Sequence, residues 1–103
     1  MKNKILNKIK FNKVKIGVVG LGYVGLNLLI HFAKKKINTV GFDNNIKKIS
    51  LLKNNISPIS YIKENEISSV KKFANYSFNL KDMINIDIII ICLPTPLDNK
   101  NRP

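Results

Sequence analysis

The chain has 103 residues, room for one domain with a modest core. A single cysteine excludes an internal disulfide framework and suits the cytoplasm, no apolar run reaches the roughly 20 residues of a membrane span, and the lysine-rich start lacks a signal peptide's apolar centre. The formal charge of +12 invites a nucleic-acid reading, but the lysines are scattered without interleaved aromatics, and Lys, Asn and Ile dominate throughout as a coding bias would produce. No specific nucleic-acid partner and no membrane partner is therefore expected.

Residues 1–13 form a basic extension, with Lys2, Lys4, Lys8, Lys10 and Lys13 around Ile5, Leu6 and Ile9; a short amphipathic helix and a solvated tail fit it equally. A first strand is expected over about 14–20, running into Gly20-Leu-Gly22-Tyr-Val-Gly25. The helix from Tyr23 to about Lys36 is expected to place Val24, Leu28, Phe32 and Ala33 near one face with Leu29 beside them. It ends on Lys34-Lys35-Lys36, cations at the negative end of the dipole. A second strand covers about 38–42 and a second helix about 45–54, with Asn54-Asn55 ending it because Asn tolerates the left-handed conformation.

Ile56 to Ile62, with Ser57-Pro58, reads as a loop. A third helix is expected from Glu64 to Ala74, a short strand from Tyr76 to Leu80 and a helical turn around Lys81 to Asn85. Asp87-Ile-Ile-Ile-Ile-Cys-Leu93 has no alternation, which predicts a strand buried on both faces of a parallel sheet. The sum is a Rossmann-like, doubly wound α/β fold of about four strands with flanking helices, in the order 3-2-1-4. The loop Pro94 to Pro103 then leaves the fourth strand beside the first, at the crevice where such sheets bind ligands.

A Gly-x-Gly-x-x-Gly motif between a strand and a helix has a physical reading as a dinucleotide turn. Gly20 lets the chain leave the strand tightly, Gly22 lets a pyrophosphate approach the backbone, and Gly25 lets the helix pack against the sheet. The helix N-terminus would favour the phosphates by roughly 0.3–1 kcal/mol per charge when exposed. Asp43 ends the second strand 18 residues after Gly25, where a carboxylate accepts hydrogen bonds from the adenosine ribose and repels a 2′-phosphate, which favours NAD over NADP. The plainer alternative is that Asp43 only caps the following helix. Cys92 in the fourth strand is expected to be a buried packing thiol, His31 to be structural or exposed, and no metal-ligand spacing occurs.

Lys15 to Leu26, Gly41-Phe-Asp43 and Ile91-Cys-Leu-Pro-Thr-Pro-Leu97 together resemble the N-terminal NAD-binding domain of the UDP-glucose/GDP-mannose dehydrogenase family, over about residues 14–103. The leader Ile5 to Lys10 and Ser60-Tyr-Ile62 look most like its UDP-N-acetylglucosamine branch. The resemblance implies an NAD-dependent, two-step oxidation of a sugar C6 hydroxymethyl group to a carboxylate, through a cysteine-bound intermediate, for surface polysaccharide synthesis. It places dinucleotide contacts on Tyr23, Val24, Asp43, Lys48 and Thr95, beside the glycines of the turn. Asn27 and Asn55 stand where the family usually has proline and glycine, both tolerable exchanges. The family's catalytic cysteine, lysine and asparagine lie in a later part of a longer chain. The expectation is thus a truncated domain without catalytic residues, inactive alone; a UDP-sugar substrate and homo-oligomers belong to the full-length form. The strand from Ile86 to Leu93 would be an exposed sheet edge, prone to pairing with other chains. Rival readings are a non-catalytic NAD-sensing module, another Rossmann dehydrogenase and a small basic nucleic-acid binder.

Overall fold

A computed structural model describes residues 13–93. Its four strands are β1 (Lys15–Val19), β2 (Asn38–Phe42), β3 (Ala74–Ser77) and β4 (Ile88–Ile91), all parallel in the order β3-β2-β1-β4. Three helices connect them: α1 (Tyr23–Lys34), α2 (Ile46–Lys53) and α3 (Glu64–Ser69), with a 3-10 helix at Leu80–Met83 before β4. The expected fold class and strand order are those observed. The Pro94 to Pro103 loop and residues 1–12 lie outside the described residues.

Register sorts the strand residues by face. Ile16 pairs with Thr39 and Val18 with Gly41, while Thr39 and Gly41 pair with Ala74 and Tyr76. These residues lie under α1 and α2, and the core built on them includes Leu21, Leu26, Leu29, Ile49 and Leu52. The fit is close at Gly41, where an added Cβ would stand 2.6 Å from a Leu29 methyl and 2.8 Å from one of Leu21. Lys15, Gly17 and Val19 face the other way, where Met83 and Ile86 press on Gly17.

The buried face of α1 differs from the expected one. Gly25, Leu26, Leu29, Ile30 and Ala33 are buried, whereas Val24 is 68% exposed and Leu28 and Phe32 are half-buried. Apolar residues surround much of this helix, so periodicity alone left its rotation open. Backbone contact at Gly25 sets it: a Cβ there would collide with the Gly20 carbonyl oxygen.

Both long helices end in the same motif. Ile37 N–H bonds the Phe32 carbonyl and Lys36 N–H that of Ala33, with Lys36 at φ 64°. At α2, Ile56 and Asn55 repeat the pattern onto Leu51 and Leu52, with Asn55 at φ 59° as expected of an asparagine. Helix α1 thus stops at Lys34, two residues before the expected end.

The second half departs further. Helix α3 stops at Ser69 rather than Ala74. Ser68 and Ser69 hydroxyls bond the Asn65 and Glu66 carbonyls, and Phe73 and Ala74 turn back onto Val70. Strand β3 therefore begins at Ala74 and ends at Ser77, not at Tyr76 and Leu80. Ser77 Oγ accepts from the Asn79 N–H, and Asn79 caps the 3-10 helix through the Lys81 N–H, which bends the chain away. Strand β4 is an edge among the described residues, as expected, but it is not buried on both faces. Ile89 and Ile91 are 49% and 69% exposed. An unbroken apolar run indicates strand; whether a second layer covers it is decided elsewhere in the fold.

Candidate functional site

The carboxyl ends of β1, β2 and β4 meet around the glycine turn. Gly20 adopts φ +97°, its N–H bonds the Phe42 carbonyl at 2.8 Å, and a Cβ on it would stand 2.8 Å from the Cys92 carbonyl oxygen. Cys92 N–H in turn bonds the Val19 carbonyl at 2.7 Å. Gly20 thus fits only as glycine, on conformation and on space. Gly25 packs α1 against the turn, and Gly22 has nothing within 4 Å of its would-be Cβ. Two glycines of the motif are needed by the protein's own atoms; the third borders open space, where a ligand approaching the backbone would need it.

Gly22 precedes α1, so Tyr23 and Val24 stand in the helix's first turn, where N–H groups have no acceptor within the helix. They point the positive end of the dipole toward the crevice. This crevice, about 600 Å³, is lined by the glycine turn, Asp43, Lys48 and Ile91 to Leu93. Tyr23 is 56% exposed, and its ring meets that of Tyr61 edge-on at 5.9 Å.

Asp43 lies just past β2 and is tied to the turn in a way the sequence did not show. Its Oδ2 accepts the Leu21 N–H at 3.0 Å and lies 3.4 Å from Lys48 Nζ, while Oδ1 accepts the Asn45 N–H at 2.9 Å. Burial by itself would raise the carboxyl pKa. The Leu21 and Asn45 amides and the Lys48 charge outweigh burial and hold it below the usual aspartate value. Asp43 is not the helix cap: Asn45 caps α2 by accepting the Lys48 N–H at 3.1 Å. The local arrangement is therefore an ionised carboxylate, steadied by amides, facing a helix N-terminus across a turn open at Gly22. That set suits a diphosphate joined to a sugar diol.

The structure brings Gly20, Gly22, Tyr23, Val24, Asp43 and Lys48 to one crevice, with Gly25 directly behind. Thr95 lies outside the described residues. Cys92 is half-buried rather than buried and sits one residue past β4, its Cβ close behind Gly25. His31 is exposed on α1. Among the described residues no group of His, Cys, Asp and Glu could hold a metal ion. Two contributors escaped sequence reasoning. The Leu21 N–H leaves no trace in a side-chain pattern, and Tyr61 is brought to Tyr23 only by the loop after α2.

The sequence of residues 14–103 matches the model of the UDP-glucose/GDP-mannose dehydrogenase family, NAD binding domain. Protein CapL of Staphylococcus aureus is 41% identical over 78 residues, which cover 76% of this chain and 18% of that protein. A UDP-N-acetyl-D-glucosamine 6-dehydrogenase of Pseudomonas aeruginosa is 37% identical over the same coverage. Among solved structures, a UDP-D-ManNAc dehydrogenase of Pyrococcus horikoshii superposes with a TM-score of 0.77 at 27% identity, covering 85% of this chain and 22% of that one. The chain thus spans about a fifth of the length of these relatives. NAD is the cofactor this domain serves, and the open glycine turn facing an ionised Asp43 fits it. On the family match and the fold together, the chain belongs to the UDP-glucose/GDP-mannose dehydrogenase family, as its NAD-binding domain.

Proposed function

We propose that the chain is the cofactor-holding portion of a nucleotide-sugar 6-dehydrogenase that oxidises the C6 hydroxymethyl of a UDP-N-acetylhexosamine to a uronate for surface polysaccharide synthesis. The Pseudomonas relative, a UDP-N-acetyl-D-glucosamine 6-dehydrogenase, supports this substrate class. NAD, when bound, supplies the hydride acceptor. The residues here bind and orient. Tyr23 and Val24 amides meet the diphosphate, Gly22 gives it room, Asp43 accepts the adenosine ribose hydroxyls, and Lys48 offers a cation beside them. Thr95, in the family's Pro-Thr-Pro loop, is assigned a further contact on the resemblance alone.

The observation that carries the reading is the pairing of an open backbone at Gly22 with a carboxylate already ionised and oriented at Asp43. Calorimetry with the purified chain is expected to register NAD binding that Asp43→Ala weakens by tenfold or more, about 1.4 kcal/mol. No heat with NAD, or an unchanged affinity in the variant, overturns the assignment. No turnover is expected from the chain alone, because the residues of the carbon chemistry belong to the family's later segments. NAD reduction by a clean preparation supplied with UDP-N-acetylglucosamine would refute that part.

A further inference from the structure

In a parallel sheet every strand starts at the same end of the molecule, and the helices between strands finish there. That end lies opposite the cofactor crevice, and the fold gathers at it lysines that are scattered in sequence. Lys13 and Lys15 open β1, Lys34, Lys35 and Lys36 close α1, Lys53 closes α2, and Lys71 and Lys72 lead into β3. All eight are exposed. Three adjoining depressions run across this end. One contains Lys53, Lys71 and Asn75; the next Asn75, Asn38 and Lys15; the third Lys15, Lys13 and Asn85. The shared residues make them one continuous belt. Its carboxylates are Asp82, which is bonded to Ser77, and Asp87, whose Oδ2 accepts the Lys15 N–H.

Against the sequence expectation of no membrane partner, we propose that this lysine end is a docking face for an anionic phospholipid surface. Three features favour lipid over nucleic acid. The cations are all lysines, point charges suited to diffuse attraction rather than the forked recognition arginine gives. The exposed ring beside the belt, Phe78, has Lys53 Nζ over its face at 6.0 Å instead of standing free to stack on a base. Two aliphatic side chains stand out at the same end, Ile84 at 76% exposure beside Lys13 and Lys15, and Ile56 at 40% just after α2. Docking there leaves the crevice facing away from the lipid and open. Partitioning rises about fivefold for each lysine brought to an anionic surface, and salt screens the effect.

The test is co-sedimentation of the full chain with phosphatidylcholine vesicles holding about one-third phosphatidylglycerol, at about 10 mM and about 300 mM salt. Binding is expected at low salt, lost at high salt and absent with pure phosphatidylcholine. The triple variant Lys34→Gln, Lys35→Gln, Lys36→Asn is expected to lose at least tenfold. The pair Lys71→Gln, Lys72→Gln, on a different element, should lose severalfold. A control of equal charge change to that pair, Lys47→Gln, Lys63→Gln, takes exposed lysines from the starts of α2 and α3 and should lose far less. Equal losses in the two double variants would show that net charge alone attracts the chain. That result overturns the proposal, as does no vesicle binding at low salt or displacement from vesicles by duplex DNA at matched phosphate.

Discussion

The unit β1–α1–β2 and the flanking strands β3 and β4 are made from similar residues, yet they are held in different ways. In the first, glycines let backbone and side chains come into direct contact: Gly25 against the Gly20 carbonyl, Gly41 against Leu29 and Leu21. Amides at the strand ends are tied in turn, Gly20 to Phe42 and Leu21 to Asp43. The flanks are tied at their strand ends too, Cys92 to Val19 and Asp43 to Ser77, but are less well covered. Ile89, Ile91 and Leu93 are exposed to 49%, 69% and 62%, and buried Tyr76 keeps a hydroxyl with no partner among the described residues. Tolerance to change should therefore fall sharply from the flanks to the first unit, and each experiment below probes that gradient.

The largest effect is expected at Gly25→Ala. Its new methyl meets backbone, which cannot swing aside as a side-chain tip can, so a loss beyond about 5 kcal/mol or outright failure to fold should appear in urea denaturation. Gly22→Ala, three residues earlier, should leave stability within about 0.5 kcal/mol and instead weaken NAD binding. Equal damage to folding at both sites would break the distinction between packing glycine and ligand glycine.

Leu29→Ala, in a fully buried position against Gly41, should cost about 2–5 kcal/mol. Ile91→Lys on the open side of β4 should cost far less while reducing self-association in size-exclusion chromatography, since a charge blunts an exposed edge. A comparable stability loss would mean that β4 is covered in solution.

The carboxylate that joins β2 to the turn gives a pH signature. Asp43 has a folded pKa below its unfolded value of about 3.9, so its contribution is complete at neutral pH and disappears as acid protonates the folded group. Asp43→Asn should flatten the fall in stability below about pH 4. A wild-type and variant difference that stays constant down to about pH 2 would remove the electrostatic account.

The smallest effect is expected in β3. Burial of the phenol raises the Tyr76 pKa to about 12. Tyr76→Phe removes the unpartnered hydroxyl and should be neutral or stabilising by about 1 kcal/mol. Destabilisation beyond about 1 kcal/mol would reveal a hydrogen bond made by that hydroxyl in solution.

Sequence alone determined the parts that depend on local stereochemistry. A strand entering three spaced glycines, a following helix and a carboxylate at the next strand end specified the alternating fold, the turn and the place of Asp43, because each requires a particular residue at a particular backbone conformation. Asn55 in its left-handed end position belongs to the same class. What depends on distant neighbours was decided only by the tertiary structure. The rotation of α1 follows from the Gly25 contact, the bond from Leu21 to Asp43 joins groups 22 residues apart, and the open side of β4 reflects which elements cover it. The lysines make the point most plainly. Spread along the chain they look like composition, and a parallel sheet, by bringing strand starts and helix ends to one side, turns them into a charged face.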